Sequence, residues 1–168
     1  MVATTVLFAL AAWRTDVGLE LAAFSVFLGA AAPLAIIDVC ERRLPNRLLI
    51  PTGLTVTSLL MGAAHRAGDW ASLGRAAVAS VVLFSAFLAV ALISRGGLGA
   101  GDVRLAGLLG LLLGWSGWTV LVGGVLLGLG LGAAHGALVI LAGGTRHSAL
   151  PLGPALIAGA VTVLLLAS

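Results

Sequence analysis

Charge is scarce in this sequence: only 9% of its 168 residues are charged, whereas a water-soluble domain carries about 25%. Too few charges remain to solvate a globular surface. Tyrosine is absent, all nine basic residues are arginine, and one cysteine, Cys40, stands alone. A single thiol excludes an internal disulfide and any Cys-x-x-Cys zinc or redox pair. The three histidines, His65, His135 and His147, fall in separate segments with no His-Glu-x-x-His pattern, so the usual helical zinc signature is missing. The glycine-rich run from Gly96 to Gly101 lacks the Gly-Lys-Ser/Thr ending and the preceding strand of a phosphate cradle.

What is present is apolar. Hydrophobic residues make up 61% of the chain and glycine contributes 24, for a mean hydropathy of +1.20. A membrane span takes about 20 apolar residues. The chain is therefore expected to be all-α, a polytopic transmembrane bundle of six or seven helices forming one integral-membrane domain over 1–168. Its first partner is the lipid bilayer. The net charge of +3 is carried by arginines placed singly or in small groups between apolar runs, a sign of membrane topology and not of nucleic-acid binding.

Arginines, acids and Pro/Gly clusters divide the apolar sequence into segments 2–13, 18–38, 48–64, 72–94, 102–114, 118–142 and 149–167. The first and fifth are short for a bilayer unless extended, tilted or enclosed by protein. With Met1 on the cytoplasmic side and every segment crossing, Arg42, Arg43, Arg47, Arg95, Arg104 and Arg146 lie inside and Arg14, Arg66 and Arg75 outside. That asymmetry satisfies the positive-inside rule, and Trp13, Trp70, Trp115 and Trp118 all fall at the outer interface, where indoles concentrate. Met1 to Trp13 has no positive leading region, so a cleaved signal peptide is not expected. Gly124, Gly128, Gly132 and Gly136 recur every four residues and place a smooth stripe on one helix face, the pattern of close helix packing in lipid.

Acids near a bilayer call for a reason. Asp16, Glu20 and Asp69 sit near outer boundaries, and Glu41 neighbours Arg42 and Arg43; solvated interfacial roles account for these four. Asp38 and Asp102 remain. Asp38 ends an apolar run, and Asp102 opens another after Gly99-Ala100-Gly101, which puts two carboxyl groups at one membrane face on different helices. Such a pair suits aspartyl chemistry, in which one carboxylate activates water while its protonated partner polarises a carbonyl. Position alone leaves open that Asp102 is only a helix cap and that Asp38 pairs with Arg42.

Three motifs in order narrow the reading. Ile37-Asp38 followed by Arg42-Arg43-Leu44-Pro45-Asn46 resembles the aspartate and basic-(Ile/Leu)-Pro-Asn motif of the type IV prepilin peptidases. Gly99-Ala100-Gly101-Asp102-Val103-Arg104 is similar to their Gly-x-Gly-Asp motif with a basic residue two places on. Leu150-Pro151-Leu152-Gly153-Pro154 resembles the late Pro-Phe-Gly-Pro segment, with leucine in place of phenylalanine. The related presenilin and signal peptide peptidase families carry their first aspartate in a Tyr-Asp motif, which a chain without tyrosine does not have.

The resemblance implies a membrane aspartyl endopeptidase with Asp38 and Asp102 as the catalytic pair. Its substrates would be prepilins or pseudopilins, cut at the cytoplasmic face of the cell membrane after a short basic leader. Larger members also N-methylate the product through an extra domain, often with paired cysteines that bind zinc. With one cysteine here, cleavage without methylation is the expectation. No metal or organic cofactor is required, since two carboxylates and a water suffice.

The competing class is a non-enzymatic scaffold or small transporter of peptidase-like fold. Helix ends suggest a division of labour in the dyad: Asp102 at a helix N-terminus is expected to start as the base and Asp38 at a helix C-terminus as the acid. Gly99 and Gly101 are candidate positioning residues, Pro45 fixes the exit of the chain beyond Asp38, and Arg104 is read as a lipid-phosphate or topology anchor.

Overall fold

Long apolar runs broken by short polar connectors leave the chain little choice but helices whose backbone groups are satisfied internally. The computed structural model describes residues 18–41, 44–94, 98–141 and 152–167. They form α1 (Leu19–Glu41), α2 (Asn46–Ala67), α3 (Trp70–Ile93), α4 (Ala100–Ser116), α5 (Trp118–Leu141) and α6 (Leu152–Ala167), with no strand among the described residues. Four of them, α1, α2, α3 and α5, are long and apolar enough to cross a membrane. The segment 2–13, Trp13, Arg14, Asp16, Arg42, Arg43, Arg95, Arg146, His147, Leu150 and Pro151 lie outside the described residues.

Neighbours in sequence pair as antiparallel hairpins, α1 with α2, α3 with α4 and α5 with α6, and α6 closes the bundle by touching both α1 and α4. The central element is α4. It is apolar all round, and every residue from Leu105 to Trp115 is buried, as expected for a helix with protein on all sides. The shortness of this segment is thereby explained: at 17 residues it is enclosed by α2, α3, α5 and α6. Trp115 is accordingly buried in the core, while Trp70 and Trp118 are exposed as the interfacial reading expects.

Small residues set the helix separations. A Cβ at Gly110 would stand 2.7 Å from the Ala79 carbonyl oxygen, and one at Gly114 would crowd the Ala79 side chain and, at 3.1 Å, the Ala76 Cα. The α3–α4 contact is therefore backbone on backbone. Ser80 Oγ adds a hydrogen bond to the Gly107 carbonyl oxygen (2.8 Å). Across the molecule, the stripe expected from Gly124, Gly128 and Gly132 faces α6: a Cβ at Gly128 would lie 2.9 Å from the Leu156 Cα, and Gly159 of α6 rests directly on the Gly128 backbone.

The hydroxyls of α2 are satisfied locally. Thr52, Thr55, Thr57 and Ser58 of α2 each donate to a carbonyl four residues back, at 2.7–2.9 Å, which lets hydroxyls sit on an apolar helix at small cost. Asp69 caps α3 by accepting from Ser72 N at 3.0 Å. The Ser72 hydroxyl and backbone N–H together hold its carboxyl below the usual carboxylate range. Gly68 ends α2 in the left-handed conformation (φ 70°) that glycine adopts without strain.

Arg75 has a structural task. Its Nε donates to the Gly114 carbonyl (2.7 Å) and its Nη2 to the Trp115 carbonyl (2.6 Å), so a cation from α3 closes the C-terminal end of α4. Arg75→Ala leaves two partly buried carbonyls without their charged donor. We expect a loss of about 2 kcal/mol in stability, readable as a lower melting midpoint in detergent, with no direct effect on chemistry at the opposite end of the bundle.

Candidate active site

The end of the bundle opposite Arg75 gathers the described residues of all three sequence motifs. On α1, the buried positions Phe27, Ala30, Leu34 and Asp38 recur at three- and four-residue spacing, so Asp38 continues the stripe that faces the core. This is why a carboxylate within an apolar helix points inward: its side chain is only 5% exposed.

Asp102 lies in the first turn of α4, three residues after the N-cap Gly99, and is half-buried. The Gly99 backbone N–H lies beside its carboxyl group, as at the return position of a capping box. The N-cap of this helix is Gly99, so Asp102 is not the cap that one reading of the sequence made it; it is a first-turn acid, and its carboxyl faces the space beside Gly153 that Asp38 also borders.

The meeting point is Gly153. A Cβ built there would lie 2.6 Å from Asp38 Oδ2 and 3.6 Å from Asp102 Oδ1. Oxygens from α1 and α4 therefore both border the one small volume beside the Gly153 α-carbon, at the start of α6. The Gly153 backbone N–H is directed at the Asp38 carboxyl group. Asp38 Oδ2 itself is buried with no hydrogen-bond partner among the described residues. Two carboxyl groups at such proximity cannot both ionise freely and tend to share a proton.

The corner after Asp38 is pinned to the start of α4. Pro45 caps α2, its carbonyl accepting from Leu48 N (3.0 Å) and Leu49 N (3.1 Å). A Cβ at Gly101 would stand 2.6 Å from the Leu44 Cβ. The glycine before Asp102 thus serves close approach and not flexibility, since Gly99 at φ −72° and ψ 145° has an ordinary extended backbone.

Arg104 has a partner that the sequence does not display: its Nη1 donates to Asn46 Oδ1 at 2.7 Å, tying the second motif to the first. Two residues on from Asp102, the Arg104 side chain leaves α4 on a different face, the one beside which the start of α2 stands.

The remaining candidates stay apart from the pair. Cys40 is exposed. His65 makes an edge contact with Trp70 at the far end (ring centroids 6.2 Å), and His135 is exposed on α5. Gly153 is the residue that sequence reasoning passed over. Its signal lay in the late motif, where it stood without an assigned task.

Known proteins resemble the chain along most of its length. A profile of the type IV leader peptidase family matches residues 22–141, a stretch that holds both Asp38 and Asp102. A Bacillus subtilis protein named prepilin leader peptidase/N-methyltransferase is 31% identical over 161 residues, covering 94% of this chain and 61% of that protein. One of the same name from Pseudomonas putida is 31% identical over 160 residues, covering 91% of this chain and 53% of that protein. The chain thus spans between about half and three fifths of the length of these curated relatives. No solved structure matches it. With the family profile covering well over half of the sequence, this membrane protein belongs to the type IV leader peptidase family.

Proposed function

We propose that this protein is an aspartic endopeptidase that removes the basic leader from type IV prepilins or pseudopilins at the cytoplasmic face of the cell membrane, with Asp38 and Asp102 as the catalytic pair. The observation that carries the reading is the convergence of Asp38 Oδ2 and Asp102 Oδ1 on the volume beside Gly153. Family membership and the names of the relatives support the substrate class. The cytoplasmic orientation rests on charge: Arg47 and Arg104 stand at the end that holds the pair, and the sequence has further arginines at 42, 43, 95 and 146.

The chemistry follows from two carboxyl groups sharing one proton. The ionised member takes a proton from a water molecule as that water's oxygen bonds to the scissile carbonyl carbon. The protonated member gives its proton to the carbonyl oxygen. The resulting tetrahedral diol collapses with cleavage of the C–N bond, and the departing amine takes up a proton. A leader carboxylate and a new pilin N-terminus result. Backbone N–H groups at the starts of α4 and α6, those of Gly99 and Gly153, lie beside the two carboxyl groups and favour a fixed orientation before substrate arrives.

A transporter would use acids at the centre of its bundle. Here they lie in the last turn of α1 and the first turn of α4, at one end. The reading is tested by co-expressing the chain with a prepilin from the same genome and following the leader by gel shift. Cleavage by wild type and none by the Asp38→Asn/Asp102→Asn double variant is the expected result; no cleavage by folded wild type overturns it. Cys40→Ser is expected to cleave within about twofold of wild type in that assay, because an exposed thiol outside the pair has no part in the chemistry.

A further inference from the structure

Gly153 lies beyond the stretch matched by the family profile, and three observations set it apart from the other glycines of the chain. It is buried at the start of α6, where first-turn N–H groups have no partner within their own helix, and its N–H is directed at the Asp38 carboxyl. A side chain there would meet no lipid or packing residue first. It would meet Asp38 Oδ2 at 2.6 Å and Asp38 Cγ at 3.3 Å, with Asp102 Oδ1 next at 3.6 Å. Finally, Asp38 Oδ2 is a buried acceptor without a partner among the described residues, aimed into that space.

These facts interlock. At 2.6 Å a methyl carbon and a carboxyl oxygen overlap, so one must move. Asp38 has little room to give way, because it stands on the stripe anchored by the fully buried Leu34 and Phe27. Turning the carboxyl aside would draw it off the Gly153 N–H and out of line with Asp102. We propose that Gly153 is a positioning residue of the dyad: its backbone N–H holds the Asp38 carboxyl, and its missing side chain keeps open the space shared with Asp102. This role rests on the dyad reading given above and adds a third element, α6, to a site otherwise built from α1 and α4.

The test uses the full chain, purified in detergent, with a prepilin carrying a basic leader as substrate. Gly153→Ala is compared with wild type, with Asp38→Asn and with Gly159→Ala. The last sets a methyl group against the Gly128 backbone, six residues further along α6 and away from the carboxyl groups. Gly153→Ala is expected to lower kcat about 100-fold, the usual cost of displacing a reacting group by about 1 Å. KM should stay within about threefold of wild type and the melting midpoint near the wild-type value. Gly159→Ala should show the reverse, a lowered midpoint with kcat per folded molecule retained.

A Gly153→Ala kcat within threefold of wild type, alongside an inactive Asp38→Asn, overturns the positioning role and leaves the dyad standing. A kcat loss that merely follows a lost melting midpoint, as for a packing defect, overturns it as well. Cleavage by Asp38→Asn at the wild-type rate would remove the dyad and this role together.

Discussion

Leader cleavage by either Asp38→Asn or Asp102→Asn is expected to fall at least about 1,000-fold below wild type, with each variant still folded in the membrane. Asparagine keeps the size and planarity of the side chain but can neither accept a proton from water nor pass one to a carbonyl. At Asp38, 5% exposed with an unpartnered Oδ2, the substitution also takes a potential charge out of a buried site. Stability should therefore hold or rise, and a loss of activity cannot be put down to a loss of protein.

Because the two groups work as a unit, the double variant should be no slower than either single one. The wild-type rate should trace a bell against pH, with both limbs belonging to the pair and not to one residue. Gel-shift rates for the four chains, with membrane yield measured in parallel, check these outcomes together. Normal cleavage by either single variant would dissolve the dyad.

The second large effect is on folding. Gly159→Val is expected to destabilise the bundle by about 3 kcal/mol, because a Cβ at this position overlaps the Gly128 backbone and stands 2.8 Å from the Gly124 carbonyl oxygen. Flexible side chains can rotate away from such a contact; main chain of a neighbouring helix cannot. Gly159 lies away from the two carboxyl groups, so activity should fall only in step with folded protein. Thermal melting in detergent and the amount recovered from membranes measure this. A variant that melts like wild type would show that α5 and α6 tolerate a wider separation than their glycines suggest.

These two predictions draw on different kinds of legibility. Helical spans could be read from the sequence because burial in lipid or protein demands long apolar runs, and each run from 18 onward became a helix within a few residues of its expected ends. The packing function of Gly124, Gly128 and Gly132 was equally visible, since a four-residue glycine period has few other uses in a membrane helix. The placement of Asp38 on a buried face was implicit in the spacing from Phe27 through Ala30 and Leu34.

The bond from Arg104 to Asn46 was not legible in the sequence, for a physical reason. Arginine at the end of a span is chemically suited both to lipid phosphate and to a side-chain amide, and local sequence holds no information about which lies within reach. Only the approach of Leu44 to Gly101 brings Asn46 within 2.7 Å of its guanidinium. The same approach explains Gly101, whose value is the absence of a side chain at a crossing that the sequence does not display.

By itself the sequence determined that this is a membrane bundle of helices and which family it resembles. These properties follow from composition, periodicity and local motifs, all of which act over a few residues. The tertiary structure decided that α4 is enclosed, that Arg75 closes its far end, and that oxygens of Asp38 and Asp102 converge beside Gly153. Convergence of this kind depends on the relative placement of α1, α4 and α6, and that is set by where glycines permit backbones to touch.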